Sequence, residues 1–387
     1  MGFPVVGVVG GGQLARMMQP AAVALGVRLR VLADRADDSA AQVVPDTVVG
    51  DYRDLDVLRR FVDGVDVLTV EHEHVPTGHL SALEAEGVPV RPGPGALVHA
   101  QDKGVMREAL SASGVPCPRW ALLPGTYDDA RAALEAFAGA GEWPVVVKTR
   151  RGGYDGKGVW VVGSLADAED LLRSPALADP GLLVEEKVPF TRELAALVAR
   201  SPHGQAVAYP VVETLQVDGV CREALAPARI DEEHAVEAQR AALRIAGDLG
   251  VTGVLAVELF DTPGGVLVNE LAMRPHNSGH WSIDGAVTSQ FENHLRAVLD
   301  LPLGSPAAKA PTLMVNVLGG AFEEMYSAYR HVMARDPGVK VHLYGKQVRP
   351  GRKVGHVNVL RAPGEALEDL YERGRHAAGY LRGDVVA

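Results

Sequence analysis

A β-branched strand that delivers a lysine into a glycine-rich, cationic turn restricts this chain more than any other feature. Trp143-Pro-Val-Val-Val-Lys148 leads through Thr149 into Arg150-Arg-Gly-Gly-Tyr-Asp-Gly-Lys-Gly158. Gly152, Gly153, Gly156 and Gly158 let the backbone approach a bulky anion without interference from Cβ atoms. Lys148, Arg150, Arg151 and Lys157 concentrate positive charge there, as the phosphates of a nucleotide require. It is not a P-loop, because Gly-x-x-x-x-Gly-Lys-[Ser/Thr] occurs nowhere in the chain. Taken alone, the segment fits the solvated tip of a hairpin equally well, so its partners decide.

The chain has 387 residues, too many for one core, and two or three domains are expected. A net charge of −11 argues against a general nucleic-acid or anionic-membrane surface, which makes each local cationic cluster more informative. Cys117 and Cys221 are the only cysteines. They form neither a disulfide framework nor a zinc pattern, so a reducing cytoplasm is the expected compartment. The N-terminus enters a Val-rich strand with no signal-peptide pattern, and no apolar run approaches the roughly 18–20 residues needed to span a bilayer.

The first hundred residues alternate strand and helix. Strands are expected at 4–9, 28–33, 47–50 and 65–70, helices at 13–25, 55–62 and 81–86, and an extended piece at 88–91. This pattern implies a parallel, doubly wound sheet. Arg91-Pro-Gly-Pro-Gly95 reads as the boundary that ends it. A helix at 103–113 follows, and a small α/β module carries the glycine-rich loop. That module ends in the strand Leu182-Leu-Val-Glu-Glu186. A mixed region runs to about 301, and the tail contains a strand at 312–318, another at 356–360 and a charged helix at 365–382.

The stretch from Val254 to Glu270 places two apolar strands around Thr262-Pro-Gly-Gly265, a strong hairpin signal. Glu258 and Glu270 sit on opposite arms. An odd-length loop or a bulge would put both on one face, where a divalent cation such as Mg²⁺ would relieve their repulsion. Immediately after comes Leu271-Ala-Met-Arg-Pro-His-Asn-Ser-Gly-His280, with Arg274, His276, Asn277 and Ser278 where ligand loops belong. In the tail, Lys346-Gln-Val-Arg-Pro-Gly-Arg-Lys353 has four cations and no acid, which suits a second phosphate site. At the N-terminus, Gly10-Gly-Gly12-Gln-Leu-Ala15 with Asp34 satisfies a dinucleotide fingerprint and raises an NAD-dependent dehydrogenase as a rival. Glu71-His-Glu-His74 faces the same crevice, and its alternating ligands leave zinc open.

In this order the residues resemble the ATP-grasp superfamily and, within it, the 5-(carboxyamino)imidazole ribonucleotide synthase family of purine biosynthesis. The motifs that carry the resemblance are Gly10-Gly-Gly-Gln-Leu14, Gln101-Asp-Lys103, Gly153-Tyr-Asp-Gly-Lys-Gly158, Asn269-Glu-Leu-Ala272, His276-Asn-Ser-Gly-His280 and Arg349-Pro-Gly-Arg-Lys-Val-Gly-His356. The resemblance implies an α/β, ATP-grasp fold. It would comprise a Rossmann-like pre-ATP-grasp domain (1–100), an ATP-grasp domain (101–300, lid about 117–186) and a small C-terminal domain (301–387). It implies that ATP phosphorylates bicarbonate to carboxyphosphate, which carboxylates 5-aminoimidazole ribonucleotide, in a cytoplasmic homodimer.

Carried over by position, Lys103, Lys148 and Asn269 would contact ATP. The lid loop would be Gly153, Tyr154, Asp155, Gly156, Lys157, Gly158 and Val159. Glu185, Glu186, Lys187 and Val188 would hold the adenine edge, Glu193 the ribose, and Glu258 and Glu270 Mg²⁺. Tyr154, Asp155, Lys157, Glu73, Arg274, His276, Asn277 and Ser278 would surround bicarbonate and the substrate ring. Gln13 and Leu14 would also contact substrate, and Lys346, Arg352 and Lys353 would clamp its phosphate. The chain departs from the family at Lys103, where arginine is usual, and at Gln216, where histidine is common. Ala272 stands where other ATP-grasp enzymes place an asparagine metal ligand. The nearer alternative is a formate-dependent glycinamide ribonucleotide transformylase, and a non-catalytic nucleotide-binding protein is a further one.

Overall fold

The structure, a computed structural model, describes residues 2–139, 142–153, 156–322 and 324–384. Tyr154 and Asp155 of the glycine-rich loop therefore lie outside the described residues. The N-terminal sheet has four parallel strands, β1 (Val5–Val9), β2 (Arg28–Ala33), β3 (Asp46–Val49) and β4 (Val67–Val70), in the order β3-β2-β1-β4. Every residue of β1 and β4 is buried. Uninterrupted apolar runs of this kind are what a parallel sheet covered on both faces demands.

Arg91-Pro-Gly-Pro-Gly95 ends the alternation, but it also starts a helix, Pro94–Gln101, that the sequence reading did not anticipate. Proline at the first helical position lacks only an N–H that would have no partner there, and its φ is already helical. Residues 88–91, expected to be extended, contribute a single bridge, Leu68 to Val90. The helix expected at 81–86 starts earlier and spans Thr77–Ala85.

A second, antiparallel sheet contains β5 (Trp120–Leu122), β6 (Val145–Thr149), β7 (Val159–Val162) and β8 (Leu182–Glu186), in the order β5-β8-β6-β7. β6 and β7 pair from Val145↔Val162 to Lys148↔Val159, so the glycine-rich loop is the tip of a hairpin. β7 was not expected from sequence. The core of this module, from Leu123 to Val184, is drawn entirely from its own residues. A unit with its own core is free to shift relative to its neighbours.

The third sheet holds β9 (Arg192–Arg200), β10 (Ala206–Ala208), β11 (Val212–Val217), β12 (Val220–Ala226), β13 (Gly253–Thr262), β14 (Gly265–Ala272), β15 (Thr312–Leu318), β16 (Lys340–Leu343) and β17 (Lys353–Leu360). It is antiparallel, ordered β14-β13-β9-β11-β12-β15-β17-β16, with β10 beside β9. Because β12 pairs with β15, it runs across position 301 without a break. The helix Gln290–Val298 packs Phe291, Leu295 and Val298 into the core of the N-terminal sheet, against Val6, Val8 and Met18. Each buried leucine of this kind contributes about 2 kcal/mol. The N-terminal and central sheets are thereby locked together, and the second sheet sits over the cleft they form.

Candidate active site

The floor of the cleft is the hairpin β13–β14. Beyond its turn, Phe260 faces Leu267 and Leu259 faces Val268. An unbroken ladder would next set Val257 against Glu270, turning that carboxylate into the apolar side of the sheet. The register shifts instead, so that Glu258 faces Glu270 and Asn269 is left over as a bulge. The bulge reverses the parity of β14 and brings both carboxylates onto the cleft face. Of the two devices expected from sequence, it is the bulge that occurs.

Side by side, the carboxylates repel. Burial first, then Glu270 and Glu193, push Glu258 up to about 7. Burial opposes ionisation of Glu270 as well, but Lys103, supported by Lys148 and Arg107, outweighs it and holds that carboxyl below the usual range. Lys103 Nζ lies 2.8 Å from Glu270 Oε1, and His276 Nε2 lies 3.3 Å from Glu258 Oε1. A like-charged pair of hard oxygen donors facing a cleft fits a divalent cation whose other ligands are phosphate and water.

The cleft has a volume of about 1370 Å³ and is lined from all three sheets. On the nucleotide side, Lys148 projects from β6 and Glu185 from β8. Lys148 Nζ sits 2.7 Å from Glu185 Oε2 and donates to Asn269 Oδ1 at 2.9 Å. Glu185, expected at the adenine edge, lines the wall but spends its carboxylate on Lys148 and Arg107. Glu186, Lys187 and Val188 continue that wall, with Val159, Gly153 and Gly156 above. Glu193, on β9 opposite Phe260, is pushed up to about 7 by burial. Lys157 and Gly158 are not among the lining residues.

Across the cleft, Arg274 Nε lies 2.8 Å from Glu73 Oε1, so the ligand loop is tied to the N-terminal sheet. His276 accepts or donates at Nδ1 to Ser278 Oγ at 2.9 Å, and burial, with Arg274 and Lys353 nearby, lowers its pKa to about 3. It is therefore neutral and adds no charge. Ser278 is buried beneath the loop rather than on the wall. Gln13, Leu14, Asn277 and Lys353 line the cleft, while Lys346 and Arg352 do not. Lys346 Nζ nevertheless reaches Gln13 Oε1, and Tyr344 O accepts from Ser39 Oγ at 2.6 Å. The C-terminal cationic turn is thus docked on the N-terminal glycine loop. Arg352 is exposed, its guanidinium donating to Gln347 O at 3.3 Å.

The dinucleotide reading fails on the same geometry. Glu71 Oε1 accepts from Gly12 N, and its Oε2 accepts from Ala15 N at 3.0 Å. The chain's own carboxylate thus occupies the helix N-terminus where a pyrophosphate would sit. A Cβ at Gly10 or Gly12 would collide with Glu71, so these glycines admit a side chain rather than a cofactor. The zinc alternative gains nothing either. Glu73 is committed to Arg274, and among the described residues no group of three or more His, Cys, Asp or Glu is placed to hold a metal.

Sequence reasoning passed over Arg107, Gln290 and Asn316, and placed Glu71 at the crevice only as part of a possible zinc set. Gln290 accepts from His276 N at 2.9 Å and donates to His276 O at 2.8 Å, fixing the ligand loop from below. Asn316 and Asn277 exchange two amide hydrogen bonds, at 2.8 and 2.9 Å. Only Arg107 left a local signal, standing one helical turn after Lys103 on the same face.

Comparison with known proteins agrees with this architecture. Residues 3–101 match the ribonucleotide synthetase preATP-grasp domain, residues 108–291 the ATP-grasp domain, and residues 312–369 the phosphoribosylaminoimidazole carboxylase C-terminal domain. The N5-carboxyaminoimidazole ribonucleotide synthase of Mycobacterium tuberculosis is 55% identical over 384 residues, covering 98% of this chain and 88% of that protein. The crystal structure of N5-carboxyaminoimidazole ribonucleotide synthetase from Thermus thermophilus has a TM-score of 0.86 at 38% identity over 99% of both chains. That of N5-carboxyaminoimidazole synthase from Aspergillus clavatus, in complex with ADP and 5-aminoimidazole ribonucleotide, has a TM-score of 0.87 at 31% identity over 98% of both. The chain belongs to the N5-carboxyaminoimidazole ribonucleotide synthase family of ATP-grasp ligases.

Proposed function

We propose that the chain carboxylates the amine of 5-aminoimidazole ribonucleotide with bicarbonate at the expense of ATP, giving N5-carboxyaminoimidazole ribonucleotide for purine synthesis. The observation that carries this reading is the paired Glu258 and Glu270 beneath Lys103 and Lys148, in a cleft whose far wall carries Arg274, His276, Asn277 and Lys353. One end suits a nucleotide triphosphate and the other a phosphorylated, hydrogen-bonding acceptor.

In the first step a bicarbonate oxygen attacks the γ-phosphorus of ATP, giving ADP and carboxyphosphate. Glu258 and Glu270 would hold Mg²⁺, which when bound neutralises phosphate charge. Lys103 and Lys148 would orient the transferring phosphoryl group, and the glycine-rich loop, with Tyr154, Asp155 and Lys157, would close over it. Carboxyphosphate then releases CO₂ and phosphate. The amine nitrogen bonds to the carbon, and the departing phosphate, the strongest base produced, takes the amine proton. Carboxyphosphate is short-lived in water, so closure of the separately packed lid over the cleft is chemically required. Neutral His276, held at Nδ1 by the buried Ser278, and Asn277 offer hydrogen bonds to the ring without competing for the phosphate. Lys346, Arg352 and Lys353 would bind the ribonucleotide phosphate.

This reading includes a cytoplasmic enzyme acting as a homodimer. Neither Cys117 nor Cys221 is in a disulfide, which is compatible with a reducing compartment, and no described helix is long and apolar enough to cross a membrane. ADP release should require bicarbonate and 5-aminoimidazole ribonucleotide together. Turnover that depends on formate and glycinamide ribonucleotide instead would transfer the assignment to the transformylase. Equilibrium sedimentation should give twice the chain mass of 40.9 kDa.

A further inference from the structure

A bulge needs something to hold it, because the extra residue loses its ladder partner and leaves carbonyls without donors. In β14 both carbonyls at the bulge are met by one side chain. Arg107, on the helix Lys103–Ala112, donates from Nη1 to Val268 O at 2.7 Å and from Nη2 to Asn269 O at 2.8 Å. Its Nε donates to Glu185 Oε1 at 2.7 Å. The guanidinium is fully buried, with 0% of its surface exposed. The contacts close into a ring, since Glu185 holds Lys148 at 2.7 Å and Lys148 donates back to the bulged Asn269 at 2.9 Å.

We propose that Arg107 is a positioning residue for the divalent cation site. It holds the Asn269 bulge open and thereby keeps Glu270 on the same face as Glu258. The inference rests on the metal reading given above. A guanidinium spans two adjacent carbonyls and a carboxylate in one plane, which an ammonium cannot do. The burial of so costly a cation is explained by the geometry it enforces, because the register without the bulge sends Glu270 toward Val257 and the apolar core.

The test measures Mn²⁺ binding to the full-length protein with saturating ADP, by electron paramagnetic resonance, in Arg107→Met and Arg107→Lys. Loss of a side chain that orients a metal ligand weakens metal binding about 10–100-fold. Arg107→Met is expected in that range and Arg107→Lys at the low end, with the KM for the ribonucleotide changed by less than about twofold. A purely structural arginine would lower the melting temperature and leave the Mn²⁺ affinity of the folded protein alone. If Arg107→Met does not fold, Arg107→Lys decides, since its charge still pairs Glu185. Wild-type Mn²⁺ affinity in a folded variant overturns the proposal. Absence of Mn²⁺ binding in the unsubstituted protein overturns the metal reading itself, and the role of Arg107 with it.

Discussion

Two glycine-rich loops in this molecule look alike on paper and behave differently in space. Gly10-Gly-Gly12 follows an apolar strand and opens a helix, as a phosphate-binding turn should, yet Glu71 fills it from within. The loop from Arg150 to Gly158 precedes no helix directly and joins two antiparallel strands, yet it hangs over an open cleft lined with cations. Backbone amides and glycines alone do not make a ligand site. What matters is whether the chain itself supplies the anion. Where it does, the loop is a structural joint between sheet, helix and C-terminal turn. At the cleft Lys103 pairs with Glu270 and Lys148 with Glu185, yet Glu258 and Glu270 still stand side by side on an open face, which suits a metal and the phosphate it would carry.

The sharpest way to test that contrast is to disable the partner of the open loop. Glu270→Gln removes one charge at nearly constant shape. Turnover should fall by about 10³-fold, or about 4 kcal/mol of transition-state stabilisation, with an unchanged circular dichroism spectrum. Turnover within tenfold of the unsubstituted enzyme would show that the paired carboxylates are not the metal site. The matching test of the closed loop is Gly12→Ala. Its Cβ would fall on Glu71 Oε1, so the protein should lose about 1–3 kcal/mol of stability in denaturant melts. A smaller loss, about 1–2 kcal/mol, is expected for Glu71→Ala, which frees two helix N-terminal N–H groups. The KM for ATP should stay constant in Glu71→Ala. A tenfold rise would mean that the first loop also contacts nucleotide, and the distinction drawn between the loops would collapse.

The same contrast shows how much was legible beforehand. Strands β1 and β2, the helix Gln13–Leu25 and the hairpin β13–β14 were readable because each carries its own periodicity and turn residues. So was the meeting of Glu258 with Glu270, given that some irregularity had to reconcile their parity. What sequence could not supply was partnership at long range. Glu71 reaches Gly12 across 59 positions and Arg107 reaches Val268 across 161, so even the i, i+4 spacing of Arg107 from Lys103 does not name its partner. Pro94 misled for a different reason. Proline stops a helix from inside and starts one from its first turn, so Arg91-Pro-Gly-Pro-Gly95 was read as an ending only. The strand β7 was hidden because Val159-Trp-Val-Val162 is too short to separate from loop by its alternation alone.

The smallest effect expected follows from the repulsion on the floor of the cleft. Glu193 and Glu258 are both raised from 4.5 to about 7 in the folded protein, so each favours folding most when protonated. Their contribution is complete below about pH 4.5 and is lost as the pH climbs through 7. His276 works in the opposite sense. Its folded pKa of about 3 lies below 6.5, so it costs stability as the pH falls through 6.5. Burial lowers His72, His280, His294 and His356 as well, and all five are still half protonated in the unfolded chain at pH 6.5, so their gain offsets much of the carboxylates' loss between pH 6.5 and 8. The part that belongs to Glu258 is therefore read as the difference between the unsubstituted protein and Glu258→Gln without metal, about 0.5–1 kcal/mol over this interval after allowance for solvent screening. A cation that binds the ionised pair should reverse the loss, so millimolar Mg²⁺ is expected to raise the melting temperature at pH 8 more than at pH 6.5. Glu258→Gln should abolish the difference between the two pH values. A Mg²⁺ effect of equal size at both, or one that survives in Glu258→Gln, would place the cation elsewhere and leave the two carboxylates as a purely electrostatic strain.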